Sequence, residues 1–359
     1  MMAGTRPGHG ESLKRSATTG CRIGIAFFLC IALFAPCKSD AGETLVGVKA
    51  RKVVRCGVSE GIPGFSARNA AGRWVGLEAD FCRAVAAAAL GDGEKVRFVP
   101  LKASERFPAL QSGAVDLLAR NTTCTLGREA GLMVMFPGII FYDGQAFMVP
   151  ASSGIRELRQ LDGATVCVEK GTTHQQYLAD YFTAHGIRYR PLVIDSSTAV
   201  ADALFAGRCR AYTSDASQLA AARLRIPDGA RKYVILPQRI SREPIGPVVR
   251  RGDDDWYTLV RWVLFALIAA EEAGVTAENA AGLRDAAANP ALRRALGAGG
   301  GFGRQMGVDD DWALRAVRSV GNYGQIYERN LGPRGAIPIE RGLNRLWSQG
   351  GLLYAPPLR

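Results

Sequence analysis

Two segments of this 359-residue chain repeat one pattern. Ala109-Leu110-Gln111-Ser112-Gly113 and Ala203-Leu204-Phe205-Ala206-Gly207 both read Ala-Leu-x-x-Gly, and eight positions beyond each glycine stands a short polar residue, Asn121 or Asp215. In each case the glycine stops a helix, a tight turn follows, and an apolar strand (Val115 to Ala119; Arg210 to Thr213) ends at the polar residue. A second echo is Val58-Ser59-Glu60-Gly61 and Val168-Glu169-Lys170-Gly171, each an apolar strand closed by glycine. Two echoes at comparable places in consecutive segments point to duplicated α/β lobes. The length agrees, since it exceeds what one core usually holds.

The spacing predicts, in the first lobe, strand Val53 to Val58, helix Glu78 to Ala89, strand Lys95 to Pro100, helix Glu105 to Gln111 and strand Val115 to Ala119, with Ala146 to Val149 leading out. The second lobe is expected as strand Ala164 to Val168, helix Gln175 to Ala184, strand Tyr189 to Val193, helix Ala199 to Ala206, strand Arg210 to Thr213, helix Ala216 to Leu224 and strand Tyr233 to Leu236. Strands alternating with helices imply two Rossmann-like parallel sheets, each flanked by helices. Strands near Phe147 and Val248 would make the two crossings. Residues 42–147 plus 248–359 then form lobe 1, and 148–247 form lobe 2. The Gly-interrupted helical tail from Gly274 is expected to extend lobe 1. In such sheets ligands sit beyond the carboxyl ends of the strands.

The first 41 residues stand apart. Lys14, Arg15 and Arg22 precede an apolar run from Ile23 to Ala35, and Ser39-Asp40-Ala41 offers small residues around a cleavage point. That order is a secretory signal, and the run falls short of the roughly 20 residues a spanning helix needs. Residues 1–41 are therefore expected to be a signal peptide, with the mature chain starting near Gly42. Cys30 and Cys37 lack the preceding small residue that lipid attachment favours. The later apolar stretch from Trp256 to Ala270 contains Arg261 and follows Asp253-Asp254-Asp255, a helix start, so it reads as a buried helix. The net charge of +12 comes from scattered arginines without an aromatic-interleaved basic stripe, so no nucleic-acid partner is expected.

Beyond the leader, five cysteines remain: Cys56, Cys82, Cys124, Cys167 and Cys209. No C-x-x-C spacing occurs, so no metal site is expected. In an exported chain disulfides are favoured. Cys56 with Cys82 and Cys167 with Cys209 are each close enough to lie within one lobe, though free buried thiols fit the spacing as well.

The polar residues at the strand ends carry the chemistry. In Asn121-Thr122-Thr123-Cys124-Thr125-Leu126-Gly127-Arg128, hydroxyls, a carboxamide and a guanidinium directly follow a buried run. Arg128 can meet a carboxylate with two parallel charge-assisted hydrogen bonds. A cation near a helix start also opposes the helix dipole and calls for an anionic partner. Thr123, five residues earlier, could reach the same oxygens. Gly171-Thr172-Thr173 opens a helix and offers an anion site or a simple N-cap. Asp215 also suits an N-cap, but facing an arginine site it is better placed for an ammonium. Opposite charges from two lobes suit a small zwitterion.

Gly57-Val58-Ser59-Glu60-Gly61 matches the nucleophile pattern of hydrolases, but Pro63-Gly64 denies the helix that pattern needs. The glycines at 299 to 303 lack the following Lys-Ser/Thr of a phosphate loop. His174 and His185 share no ligand face, and solvated or capping roles are expected for them. A rival reading is an exported dehydratase-like enzyme acting on an amino-acid precursor, with an acid from Glu60 or Glu169.

Further segments are distinctive: Cys56-Gly57-Val58, Gly64-Phe65-Ser66, Arg106-Phe107, Arg120-Asn121-Thr122-Thr123, Tyr142-Asp143-Gly144-Gln145, Gly207-Arg208-Cys209, Ala211-Tyr212-Thr213-Ser214-Asp215, and the ending Arg341-Gly342-Leu343-Asn344 through Pro357. Through them the chain resembles the periplasmic general L-amino-acid-binding proteins of ABC importers, a branch of the polar amino-acid solute-binding family 3. The resemblance implies the two-lobed periplasmic-binding-protein fold and a periplasmic monomer without cofactor. It also implies capture of L-amino acids of broad specificity and delivery to an inner-membrane ABC permease with a separate ATPase. By position, Arg128 would hold the ligand α-carboxylate with Thr123 and Thr173, and Asp215 the α-ammonium. Asn121, Ile62 and Ala103 would shape the rest of the site, beside Thr172. Ile62 and Ala103 replace aromatic residues common in binders of cationic amino acids, which speaks against a narrow preference for lysine or arginine. Cys124 stands where this branch often has Trp, and Arg210 where it often has Asp.

Overall fold

The computed structural model describes residues 42–286, 288–299 and 301–358. The expected signal peptide, with Cys30 and Cys37, lies outside them. Among the described residues no helix is long and apolar enough to cross a membrane.

The chain enters through helix α1 (Glu43–Arg51) and strand β1 (Val54–Val58), then a hairpin of β2 (Ala67–Arg68) and β3 (Trp74–Val75). Helix α2 (Leu77–Leu90), β4 (Val96–Pro100), α3 (Arg106–Gln111), β5 (Leu117–Leu118), α4 (Leu126–Gly131) and β6 (Val134–Met135) follow. Strand β7 (Phe141–Asp143) leads through Gly144 into β8 (Gln145–Pro150), and then come β9 (Ala164–Glu169), α5 (Thr173–Ala184) and β10 (Tyr189–Ile194). Helix α6 (Ser197–Phe205), β11 (Ala211–Asp215), α7 (Ala216–Arg223), α8 (Gly229–Lys232) and β12 (Tyr233–Ile235) complete that half. Strands β13 (Glu243–Ile245) and β14 (Val249–Arg250) return to the first half, ahead of α9 (Asp254–Glu272). The tail holds α10 (Ala280–Ala286), α11 (Pro290–Ala295), α12 (Phe302–Gln305), α13 (Trp312–Val320) and α14 (Tyr323–Asn330).

Two sheets organise these elements. One is parallel, in the order β4-β1-β5; the other runs β10-β9-β11-β8-β12. Strand β5 is short, but Asp116 N–H to Arg55 O and Ala119 N–H to Gly57 O continue its pairing on either side. The second sheet departs from the all-parallel expectation, because β8 pairs antiparallel with both β11 and β12. Its cause is local. Strand β8 arrives directly from β7 with only Gly144 between them, so no crossover helix turns the chain back into the common direction. Between the sheets, β7 and β13 form an antiparallel ribbon with Asp143 opposite Glu243.

Helix α9 is the buried helix expected from its run of apolar residues, opened by Asp253, whose side chain accepts from Trp256 N–H. Its Trp256, Val260 and Leu264 pack in one core with Phe81 and Val85 of α2 and with Trp312 and Val317 of α13, which places the tail on the first half. The tail also grips the ribbon. Asn344 brackets Tyr142, accepting from its N–H (2.7 Å) and donating to its carbonyl (3.1 Å), while Tyr323 OH donates to Ile140 O. Disulfides join Cys56 to Cys82 and Cys167 to Cys209, and Cys124 is free. The first ties β1 to α2; the second ties β9 to the turn before β11.

Candidate functional site

The site forms where β5 and β11 end. After β5 the backbone turns left-handed at Asn121 (φ 36°), a conformation that asparagine tolerates better than most side chains. Its N–H donates to Glu78 Oε1 at the start of α2 (2.5 Å), and both atoms of its own amide are buried without a protein partner. Burial, against the opposing pull of this N–H and of Arg120, pushes the Glu78 carboxyl up to about 7.

Thr125 caps α4 by accepting from Arg128 N–H, which fixes the first turn and sends the Arg128 side chain back toward β5. There Arg128 Nη1 donates to Thr123 O at 2.7 Å and its guanidinium lies over the Phe107 ring. Burial lowers the Arg128 pKa to about 10, opposed by the charges of Glu243 and Asp215. On the other sheet, Asp215 ends β11 and precedes α7, yet its side chain makes no capping bond. The carboxylate instead meets His174 Nε2 at 3.0 Å, with both groups buried. Burial pulls the His174 pKa down, but the charge and hydrogen bond of Asp215 outweigh it, and the net shift is upward.

Thr172 occupies the N-cap position of α5 without a capping bond; its hydroxyl donates to Glu169 O (2.8 Å). Thr173 Oγ1 at the start of α5 and Thr123 Oγ1 in the turn after β5 both donate to Glu243 Oε2, at 3.2 and 2.5 Å. One atom each of His174, Asp215 and Glu243 lie within 4.8 Å of one another. Thus Thr123, Thr173, Asp215 and the Thr123-bound Arg128 converge. Ala103 is buried where Gly171 crosses over: a Cβ on Gly171 (φ +75°) would come within 3.0 Å of the Ser104 backbone. Ile62 lines a narrow crevice facing Ser197, Thr198 and Gln218.

Three features escaped the sequence. His174 is neither solvated nor capping but buried on Asp215, because α5 starts at Thr173, two residues before the expected start, and its first turn faces β11. Glu243 had no periodic context to flag it, lying on the three-residue β13 beside Pro244. Glu169 Oε1 forms a buried ion pair with Arg120 (3.1 Å) and Oε2 accepts from Gln218, so this carboxylate is not a free acid. Ser59 likewise is no nucleophile; its hydroxyl sits 2.6 Å from Ser66 Oγ in a turn.

Two α/β sheets joined by a short ribbon, with oppositely charged groups converging between them, define a two-lobed solute-binding protein. Residues 54–278 match the bacterial extracellular solute-binding proteins, family 3, and the chain belongs to that family. It is 47% identical over 335 residues to the glutamate/glutamine/aspartate/asparagine-binding protein BztA of Rhodobacter capsulatus, covering 93% of this chain and 99% of the relative. It is 46% identical to the general L-amino acid-binding periplasmic protein AapJ of Rhizobium johnstonii, over 89% of this chain and 94% of the relative. A solved ABC-transporter periplasmic binding protein from Brucella ovis, with glutathione bound, superposes with a TM-score of 0.85 at 46% identity, over 88% of this chain and 99% of that one. These relatives are named as binding proteins, not enzymes.

Proposed function

We propose that this chain is the periplasmic component of an ABC importer that captures L-amino acids of several kinds and delivers them to an inner-membrane permease with its own ATPase. The half built on the sheet β4-β1-β5 with the C-terminal tail acts as one lobe and the half built on the sheet β10-β9-β11-β8-β12 as the other, so that Gln145–Phe147 of β8, expected in the first lobe, fall in the second; the two close on the ligand as a monomer. Arg128, with the hydroxyls of Thr123 and Thr173, takes the α-carboxylate, and Asp215 takes the α-ammonium. Asn121, Thr172, Ile62 and Ala103 border the side chain.

The observation that carries this reading is the convergence of Arg128, held on Thr123 beyond β5, with Asp215 at the end of β11; neither caps a helix, they do not pair with each other, and Asp215 is paired with His174. Groups reached from both lobes favour the closed form, and only such differential contact shifts an open–closed balance. The similarity to relatives named for general L-amino acids and for four amino acids supports breadth. The family similarity supports export, and no amino acid requires more than ordinary affinity here: about −8 kcal/mol, or micromolar, is reachable for some ten heavy atoms. A dehydratase on this scaffold is disfavoured by Glu169, which is held by Arg120 and Gln218. Calorimetric titration with the twenty L-amino acids tests the proposal. Saturable heat from several is expected, and heat from none would refute it.

A further inference from the structure

Glu243 and the two threonines are disposed as a bound carboxylate and its receptor. Glu243 Oε2 accepts from Thr123 Oγ1 on the turn after β5 and from Thr173 Oγ1 at the start of α5, at 2.5 and 3.2 Å. Among charged neighbours it also acts most strongly on Arg128. These are the groups assigned above to the ligand α-carboxylate. A threonine hydroxyl has a single proton to donate. Thr123 and Thr173 therefore cannot serve Glu243 and a ligand carboxylate together.

We propose that Glu243 is a displaceable internal carboxylate that an incoming amino acid must drive off Thr123 and Thr173, so that it sets affinity by competition. This rests on the binding reading given above. The surroundings allow the exchange. The other oxygen, Oε1, accepts from Ser241 Oγ at 2.6 Å, and Glu243 lines a cavity of about 920 Å³ together with Ser241, Arg239, Arg242 and Asp143. Rotation about its side-chain bonds moves the carboxylate away from the threonines into that cavity, beside two guanidinium-bearing residues. The two guanidinium groups outnumber the single Asp143 carboxylate in that lining, so displacement does not strand a buried charge. The alternative fate is that Glu243 stays and receives the ligand ammonium beside Asp215.

The two fates give opposite signs in one experiment. L-glutamine is titrated calorimetrically into the purified protein and into Glu243→Gln and Glu243→Ala. Glutamine at 243 keeps the shape and removes the charge; alanine removes the competitor. Displacement gives binding about tenfold or more tighter in both variants. Unchanged or weaker binding in the variants, with a normal titration of the parent, overturns this inference and leaves the binding function standing. Heat from none of the twenty amino acids with any of the three proteins overturns both.

Discussion

Arg120 and Glu169 meet at 3.1 Å with both side chains buried, and they come from different sheets, Arg120 from beyond β5 and Glu169 from the end of β9. Arg120 Nε also donates to Leu101 O and Glu169 Oε2 accepts from Gln218, so the pair is anchored on both sides. A buried pair broken on one side leaves an unpaired charge that costs ~3–5 kcal/mol, whereas replacing both partners by apolar residues is often neutral. In the proposed lobe closure this pair would bridge the two halves. Glu169→Gln is expected to favour the open form and weaken amino-acid binding, with Arg120→Met/Glu169→Leu recovering much of the loss. Small-angle scattering with titration reads both; equal behaviour of the single and double variants would contradict this.

Arg128→Ala is expected to weaken binding of L-amino acids by roughly 2–5 kcal/mol, because the ligand carboxylate would be buried without its partner. The same substitution removes the Nη1 bond to Thr123 O, so part of the loss reflects a loosened turn. Arg128→Lys, which keeps the charge without the planar fork, should recover only part of it. Isothermal titration of the three proteins gives the order; full recovery by lysine would argue against a two-pronged contact.

Binding should depend on pH through His174. Its pKa is raised above the ordinary value of 6.5 by Asp215, so imidazolium and ligand ammonium compete for the same carboxylate. Affinity for a neutral amino acid is expected to increase as pH rises through that raised value, by at most about tenfold per unit, with proton release on binding. Folding stability carries the opposite sign: the His174 contribution is fully present below about 6.5 and is lost as pH climbs through the raised value. Titrations in buffers of different ionisation heat count the protons. A slope that persists in His174→Gln would place the coupling elsewhere.

Glu78 should limit stability at alkaline pH. With its carboxyl raised from 4.5 to about 7 by burial, stability is unaffected below 4.5 and falls as pH rises from there to about 7. Glu78→Gln keeps an acceptor for Asn121 N–H and a partner for Ser66 without the charge. It is expected to raise stability above pH 7 by up to ~3 kcal/mol and to flatten this slope. Urea unfolding at pH 5 and pH 8 measures it, and an equal effect at both would contradict the assignment.

Much of the fold was legible because period and punctuation agreed. Helix α2 and helix α9 carry apolar faces bounded by acidic starts, and strands β1 and β9 are largely apolar runs closed by polar residues. The direction of β8 was not legible, since an apolar strand reads alike in either sense and only its direct link to β7 reverses it. The placement of Asp215 at a strand end, of Thr173 at a helix start and of the Thr123–Arg128 segment after β5 could be read from what precedes them. Their present partners could not. Glu243 reaches the threonines from a segment 120 residues downstream of Thr123, and nothing local in Ser241-Arg242-Glu243-Pro244 marks that return. The sequence suggests a solvated or capping role for His174; only the tertiary approach of β11 buries it.

In the proposed complex one α-amino acid is held by its two poles between the lobes. A crystal structure grown with L-glutamine measures this directly. The expected result is its carboxylate within hydrogen-bond distance of the Arg128 guanidinium and its ammonium within hydrogen-bond distance of an Asp215 oxygen. Glutamine bound in the reverse orientation, or away from both side chains, would refute two-pole binding by Arg128 and Asp215.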